Sequence, residues 1–582
     1  MLNLKTPLSL LLIAFFLLEA SSAENPSRIV PKDAFFYLYI ENFRMLKDIV
    51  STPDSPDESG SGIERWIGRK LSELGHAPPI SSSHINRQKS SDLLLFFTDP
   101  EHGGSKGIRF KLNMMFKTDA PRERLDEIMN QYMQNFPGKS DVTNNEYRGS
   151  RITSAKITVH EKMNVPTKVL IDPEKGEFQK AAVDIPGVSV FSESIRQFHY
   201  STCNDWFLYT EGDIDRHRKL INRILDQQGS SVSETPLFQE TFITPPQKEA
   251  IQLFARLTPV IENTLMDSPQ SDISPLLTGL KSVGLVGTRR EDKIEITNYI
   301  YAPSPRTGAA NALFHFQPSR FRSLSIAPDD VLIYSSTCFN LFAAWSDIMA
   351  SLQNIYPETV LNIRRTLNAN RAVLGFDVER DLLGATGCEM GYYVNNTKDG
   401  FAPAITWFLE VEDPERFEMT LERLFAFVSK TFRIKMRRME SAGFPAWQLT
   451  PTGPGAERYL KFRIGTAICK NFFILTSDSN EMKRLSEISK PGKEGKPNSK
   501  MSDIIASVQK DNICGAIYFA EEGWGMIAQN AWKQIKEKGK NPGITMRAEK
   551  DETESFAPEI RGSRLTTIRQ TDSHLITETL FY

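Results

Sequence analysis

The sequence has little cysteine, little histidine and almost no net charge. None of its five cysteines, Cys203, Cys338, Cys388, Cys469 and Cys514, lies close to another. That spacing excludes a Cys-x-x-Cys redox or zinc motif and a small disulfide-framed fold. The eight histidines are scattered, and no His-Glu-x-x-His pair is present. A helical zinc site of the metalloprotease type is thereby excluded. No Gly-x-Ser-x-Gly occurs, so the strained turn that presents an α/β-hydrolase serine is missing. The two glycine-rich phosphate cradles, Gly-x-x-x-x-Gly-Lys-Ser/Thr and Gly-x-Gly-x-x-Gly after a strand, are also missing. A net charge of −2 gives no electrostatic reason to expect nucleic acid.

Weaker signals have plainer structural readings. His102-Gly103-Gly104-Ser105 has the look of an oxyanion loop, but without a nucleophile it reads as a turn. Ser507 and Lys510 have Ser-x-x-Lys spacing without the companion motifs of that chemistry. Asp377, Glu379 and Asp381 alternate as calcium ligands can, yet lack the glycine and glutamate of an EF-hand loop, so a solvated loop is expected. Arg433, Lys435 and Arg437 alternate, with Arg438 adjacent, and on a strand the alternating cations would line one face; an exposed sheet face is favoured over polyanion binding. Lys533 to Lys540 reads as an ordinary helix end, and Asn395-Asn396-Thr397 as a glycosylation sequon. No catalytic, cofactor-binding or metal-binding residue is assigned, and no cofactor is expected.

Several features are present. The chain opens with one cation, Lys5, then an apolar stretch from Leu8 to Leu18, then small residues Ser21 and Ala23. This is the pattern of a secretory signal peptide over residues 1–23, cut before Glu24. Eleven helical residues span ~16 Å against ~30 Å of bilayer hydrocarbon, too short for an anchor. No later run approaches the apolar length of a membrane span, so no integral membrane segment is expected after cleavage. Export implies a periplasmic or extracellular location. There an odd set of cysteines must leave at least one thiol outside an internal bridge. Ser51 to Gly62 and Ser489 to Lys500, rich in Ser, Pro, Gly and charge, are expected to be mobile.

The 559 residues left after removing 23 from 582 carry an internal echo. Ile29 to Tyr37 parallels Ile326 to Tyr334: each is a Pro-x-Asp turn feeding an apolar strand. Asp119-Ala120-Pro121-Arg122 parallels Asp413-Pro414-Glu415-Arg416, each ahead of an amphipathic helix. Asp can cap such a helix and proline fits its first turn. Tyr147 to Thr153 resembles Phe444 to Thr450, Asp205 to Thr210 resembles Asn471 to Thr476, and Ala250 to Ala255 resembles Gly515 to Ala520. Both halves close on a strand ending in tyrosine, Tyr301 and Tyr582. The common order predicts an α+β chain of two related modules, 24–318 and 319–582. Each is expected to be an antiparallel sheet with helices packed on one face. The first half carries extra residues between Thr153 and Asp205, expected to form an inserted loop or hairpin.

The segments Pro328 to Tyr334 and Gly375-Phe376-Asp377-Val378-Glu379-Arg380-Asp381-Leu382-Leu383-Gly384 resemble a family of exported bacterial proteins known only as a domain of unknown function. The resemblance covers most of the second half and implies no activity. These features together predict an exported, non-enzymatic binding or scaffolding protein, with an envelope protein or polymer as partner. The alternative is an envelope hydrolase whose site is assembled from residues distant in sequence.

Overall fold

A computed structural model of the chain describes residues 26–41, 92–102, 108–118, 120–134, 140–162, 170–171, 178–179, 191–226, 229–246, 251–257, 277, 279–290, 293–395, 403–432, 434–439, 444–451, 464–490, 499–508, 512–520 and 564–581. The signal-peptide segment 1–23, the stretch 51–62, the Gly103–Ser105 turn, Arg433 and the lysines of 533–540 lie outside them. So does most of 489–500. The described residues fall into two compact units, one within Ala23–Lys47 and Asp57–Glu234, the other within Thr235–Tyr582.

In the first unit the Pro31 turn closes with the Ala34 amide donating to the Pro31 carbonyl at 3.1 Å. It feeds β1 (Phe36–Ile40), which is buried along its whole length. The unit continues with β2 (Leu93–His102), β3 (Ile108–Lys117), β4 (Ser140–Tyr147), β5 (Ser150–Lys162), β6 (Leu170–Ile171), β7 (Phe178–Gln179), β8 (Phe191–Cys203) and β9 (Trp206–Glu211). Strands pair antiparallel in the order β1-β2-β3-β9-β8-β5-β4. The extra residues between Thr153 and Asp205 lengthen the β5–β8 ladder, and beyond it β6 pairs with β7 as a small hairpin. α1 (Arg122–Gln134) buries Leu125, Ile128, Met129 and Met133. Tyr132 and Phe136, at the same helical spacing in the sequence, have side chains outside the described residues. α2 (Ile214–Asp226) buries His217, Leu220 and Ile221.

The second unit holds β10 (Ile251–Arg256), β11 (Ser282–Arg290), β12 (Lys293–Tyr301), β13 (Val331–Cys338), β14 (Thr386–Asn395), β15 (Ala404–Val411), β16 (Ile434–Arg438), β17 (Ala446–Pro451), β18 (Ile464–Cys469), β19 (Phe472–Thr476), β20 (Gly515–Phe519), β21 (Arg564–Gln570) and β22 (His574–Phe581). Their order is β10-β11-β12-β22-β21-β20-β13-β14-β15-β19-β18-β17-β16, antiparallel throughout. Its helices are α3 (Pro236–Thr241), α4 (Gly308–Ala312), α5 (Leu341–Ile355), α6 (Pro357–Leu374), α7 (Pro414–Phe432), α8 (Ser479–Ile488) and α9 (Ser499–Val508). Asp413 caps α7 as its sequence implied, accepting from the Arg416 amide at 3.1 Å.

The chain is therefore α+β with antiparallel sheet. The compact units divide between Glu234 and Thr235, a boundary separate from the 318/319 junction of the two expected modules. The reason is that β12 pairs with the C-terminal strand β22, from Glu295 opposite Leu580 to Tyr301 opposite His574, which ties β10–β12 to the later residues. Helices also cover both faces of the β13–β19 region, not one. Phe472 and Ile474 of β19 join Tyr334, Phe408, Met482, Leu485, Met501 and Ile505 under α8 and α9. Phe473 between them packs with Phe417, Leu421 and Trp447 under α7. Alternate residues of a strand point to opposite faces, so a continuous apolar run asks for cover on both. Burying each of these large side chains contributes about 1.5–3 kcal/mol.

Candidate functional site

β13 ends at Cys338, and α5 begins three residues later. Cys338 is bridged to Cys388 at the start of β14, with 4.5 Å between their Cα atoms. Cys203, Cys469 and Cys514 are free and buried. Burial pushes the Cys469 thiol up to about 11, which makes it a poor nucleophile at neutral pH. The bridge closes a 50-residue excursion that carries α5, α6 and a π-helical turn at Val378–Leu382.

Local sequence explains each part of the excursion. Asn340 caps α5, its Oδ1 accepting from the Ala343 amide at 2.9 Å. Pro357 opens α6. Gly375 ends α6 with φ +73°, a left-handed conformation that glycine adopts without strain. Phe376 is then buried and anchors the turn. Asp377 Oδ1 accepts from the amides of Glu379 at 3.0 Å and Arg380 at 3.1 Å, and the Asp377 amide donates to Asp381 at 2.8 Å. Asp381 also holds Arg380 at 3.0 Å and Arg416 of α7 at 2.5 Å. Arg380, the Asp377 backbone and Arg416 together keep its carboxyl well below the usual carboxylate range. The alternating acids thus form a hydrogen-bonded π-turn, not the solvated loop expected. Such turns occur often at functional sites.

This turn, α5 and α6 enclose an open cleft of about 390 Å³. α5 supplies an apolar floor of Phe342, Trp345, Met349 and Ala350, with Ser346 beside it. Phe342 is 45 % exposed at the mouth of the cleft. The rim carries Arg364 of α6 and Asp377, Glu379 and Arg380 of the π-turn. The Trp345 indole N–H donates to Glu379 Oε1 at 2.7 Å and fixes the ring against the turn. A concave, mostly apolar space with a few placed charges suits a small ligand.

The histidines serve other purposes. His199 and His217 are buried in the first unit with ring centres 6.1 Å apart. His199 Nδ1 meets Ser154 Oγ at 2.7 Å and its Nε2 meets the Gly212 carbonyl at 2.8 Å. His217 is held by Ser201 Oγ at 2.7 Å and Thr210 Oγ1 at 2.9 Å. Burial pushes His217 down to about 3, so it is neutral at physiological pH. Ser201 and Thr210 are fully buried, so this hydroxyl–imidazole pair has no surface for a substrate. His315 bonds Asp347, which also accepts from Asn311 at 2.6 Å. His574 Nε2–H donates to the Glu240 carbonyl at 2.8 Å, and its Nδ1 meets Ser573 Oγ at 2.9 Å. Among the described residues no group of three or more His, Cys, Asp or Glu could hold a metal.

The remaining sequence signals are dispersed. Ser507 bonds the Ile504 carbonyl in α9 at 2.7 Å, and Lys510 lies outside the described residues. Lys435 and Arg437 are exposed on β16, while Arg438 turns to the other face and pairs with Glu418 and Glu422 of α7. The basic run is thus split between two faces. Asn395 is 6 % exposed at the end of β14, a poor acceptor for a glycan. The cleft itself escaped the sequence reading. Its signal was the spacing of Phe342, Trp345 and Met349 along one face of α5.

No known family model matches the chain, and no curated protein does. Among solved structures, crystal form I of TP0453 is similar at 13% identity, covering 49% of this chain and 82% of that one, with a TM-score of 0.25. Crystal form III of TP0453 is similar at 12% identity, covering 51% and 86%, with a TM-score of 0.23. Similarity at that level carries no argument about the fold or activity of this chain.

Proposed function

We propose that this is an exported, non-enzymatic binding protein built from two copies of one α+β module, and that its cleft between α5, α6 and the π-turn is where it binds. The cleft is the observation that carries the binding reading. It joins an exposed aromatic floor to fixed charges, and none of the hydroxyl–histidine contacts lies in it. The segment Gly375 to Gly384, on which the resemblance to exported bacterial proteins of unknown function rests, supplies three of its charged residues. Export is supported by the signal-peptide pattern of residues 1–23 and by the Cys338–Cys388 bridge, since disulfides persist in oxidising compartments.

Support for duplication comes from strand register. Tyr37 pairs with Phe96, and 297 residues on, Tyr334 pairs with Tyr393. Phe116 pairs with Phe207 in β3–β9, and Leu409 with Phe473 in β15–β19, which keeps the offsets of 293 and 266 found in the sequence. The β8–β9 and β18–β19 turns match through Cys203 and Cys469, each followed by a residue at positive φ, Asn204 and Lys470. The order β1-β2-β3-β9-β8-β5-β4 then corresponds to β13-β14-β15-β19-β18-β17-β16. The terminal hairpins match at an offset of 281, which makes Thr297 the counterpart of Glu578. Those two residues pair with each other across β12–β22. On the same registers β5 falls against β17 at an offset of 294 and β10 against β20 at 264.

Affinity capture from a native envelope fraction, with mass spectrometry of retained proteins and small molecules, tests the reading. The Ala350→Trp variant, which fills the cleft, is expected to lose an occupant that the unaltered chain retains. Equal retention by both, or turnover of a model ester or peptide abolished by one substitution, overturns it.

A further inference from the structure

The charges around the cleft are unequally satisfied. The Asp377 carboxylate is occupied by two backbone amides and by Arg371 at 3.4 Å. Arg380 is held by Asp381 at 3.0 Å. Two charged groups are left. Arg364 has no ion pair or hydrogen bond among the described residues. Glu379 accepts only a neutral indole N–H and has no cationic partner among them. The two line one cleft without pairing with each other.

A ligand complementary to this arrangement carries one positive and one negative group on an apolar body. We propose that the cleft binds a zwitterion with an apolar side group: an apolar amino acid or a short apolar peptide. This rests on the binding reading above. The ligand carboxylate faces the Arg364 guanidinium, whose planar fork suits it. The ammonium lies towards Glu379, close to the Trp345 ring that Glu379 already holds, where an aromatic face also favours a cation. The apolar group rests on Phe342, Met349 and Ala350. The open mouth of the cleft admits either source of the same chemistry, a free amino acid or a peptide of two or three residues.

Calorimetric titration of the full-length protein with L-phenylalanine and with L-leucyl-L-leucine separates the two sources. Phenethylamine, which lacks the carboxylate, and 3-phenylpropionate, which lacks the ammonium, are the controls. Saturable one-site binding of at least one zwitterion is expected, tighter than either control by about ten-fold or more. Arg364→Gln should weaken the zwitterion by about ten-fold and leave phenethylamine unchanged. Glu379→Gln keeps an acceptor for the Trp345 indole, so it should weaken the zwitterion and leave 3-phenylpropionate unchanged. Absence of saturable binding, or controls that bind as well as the zwitterions, refutes the ligand class. If Ala350→Trp still abolishes retention of an envelope component in that case, the zwitterion is wrong and the cleft remains the binding site.

Discussion

Removing the Cys338–Cys388 bridge, by the double substitution Cys338→Ser/Cys388→Ser, perturbs the segment that carries the cleft. The two half-cystines stand 50 residues apart in sequence, so the bridge withdraws a long loop from the unfolded ensemble. The chain-entropy relation gives about 4 kcal/mol for a loop of that length. The neighbouring ladder runs from Val331 opposite Asn395 to Cys338 opposite Glu389, so the strands remain paired without the bridge and the folded state loses little else. Urea unfolding followed by circular dichroism, with and without reductant, is the assay. With two compact units the transitions are to be fitted separately, because a single two-state ΔG is not defined for the whole chain. The variant should lose about 3–4 kcal/mol in the transition of the 235–582 unit, with the other transition unmoved. Reductant should reproduce the loss in the unaltered chain and add nothing in the variant. A loss below about 1 kcal/mol, or one confined to the first unit, would refute the reasoning.

Acid should also weaken the first unit. His217 is held down to about 3 by burial, against an unfolded value near 6.5. The unfolded chain therefore binds the proton first, and stability is full above pH 6.5 and falls as pH drops towards 3. At pH 5 the loss from this group is about 2 kcal/mol, and His217→Gln should flatten that part of the pH profile in urea titrations. Gly391→Ala drives a Cβ into the Ser335 carbonyl oxygen and to 2.8 Å from the Phe408 ring, so β13 and β14 must separate. A loss of about 3 kcal/mol is expected by thermal denaturation, and a shift under 1 kcal/mol would contradict the close strand approach. Phe408→Ala removes a ring buried among Tyr334, Tyr393 and Phe472, and should cost about 3–5 kcal/mol in the same assay.

Local grammar made much of the fold legible. A Pro-x-Asp turn ahead of an apolar run predicted β1 and β13, and Asp-Pro ahead of a 3.6-period pattern predicted α7. Pairing was less legible, because register depends on turn length. β4 and β5 close tightly over Arg148 and Gly149, both at positive φ, whereas the β16–β17 ladder stops at Arg438 opposite Trp447 across a longer connection. The division at Glu234 was hidden because a pairing between residues 293–301 and 574–581 leaves no local trace. The partner of Cys338 was equally hidden, since five cysteines allow many pairings. At the cleft, Asp377, Glu379 and Asp381 read as a loop because strand-like alternation and a π-turn look alike over five residues. What decided between them was Asp377 capping two amides and Arg416 arriving from a helix 35 residues away.

The central claim is that this chain binds through the cleft of α5, α6 and the π-turn. Hydrogen–deuterium exchange of the full-length protein, with and without a native envelope extract, addresses it most directly. Slowed exchange concentrated in residues 341–382, and absent in Ala350→Trp, is the result predicted. Unchanged exchange there, or protection found only elsewhere, would contradict the account.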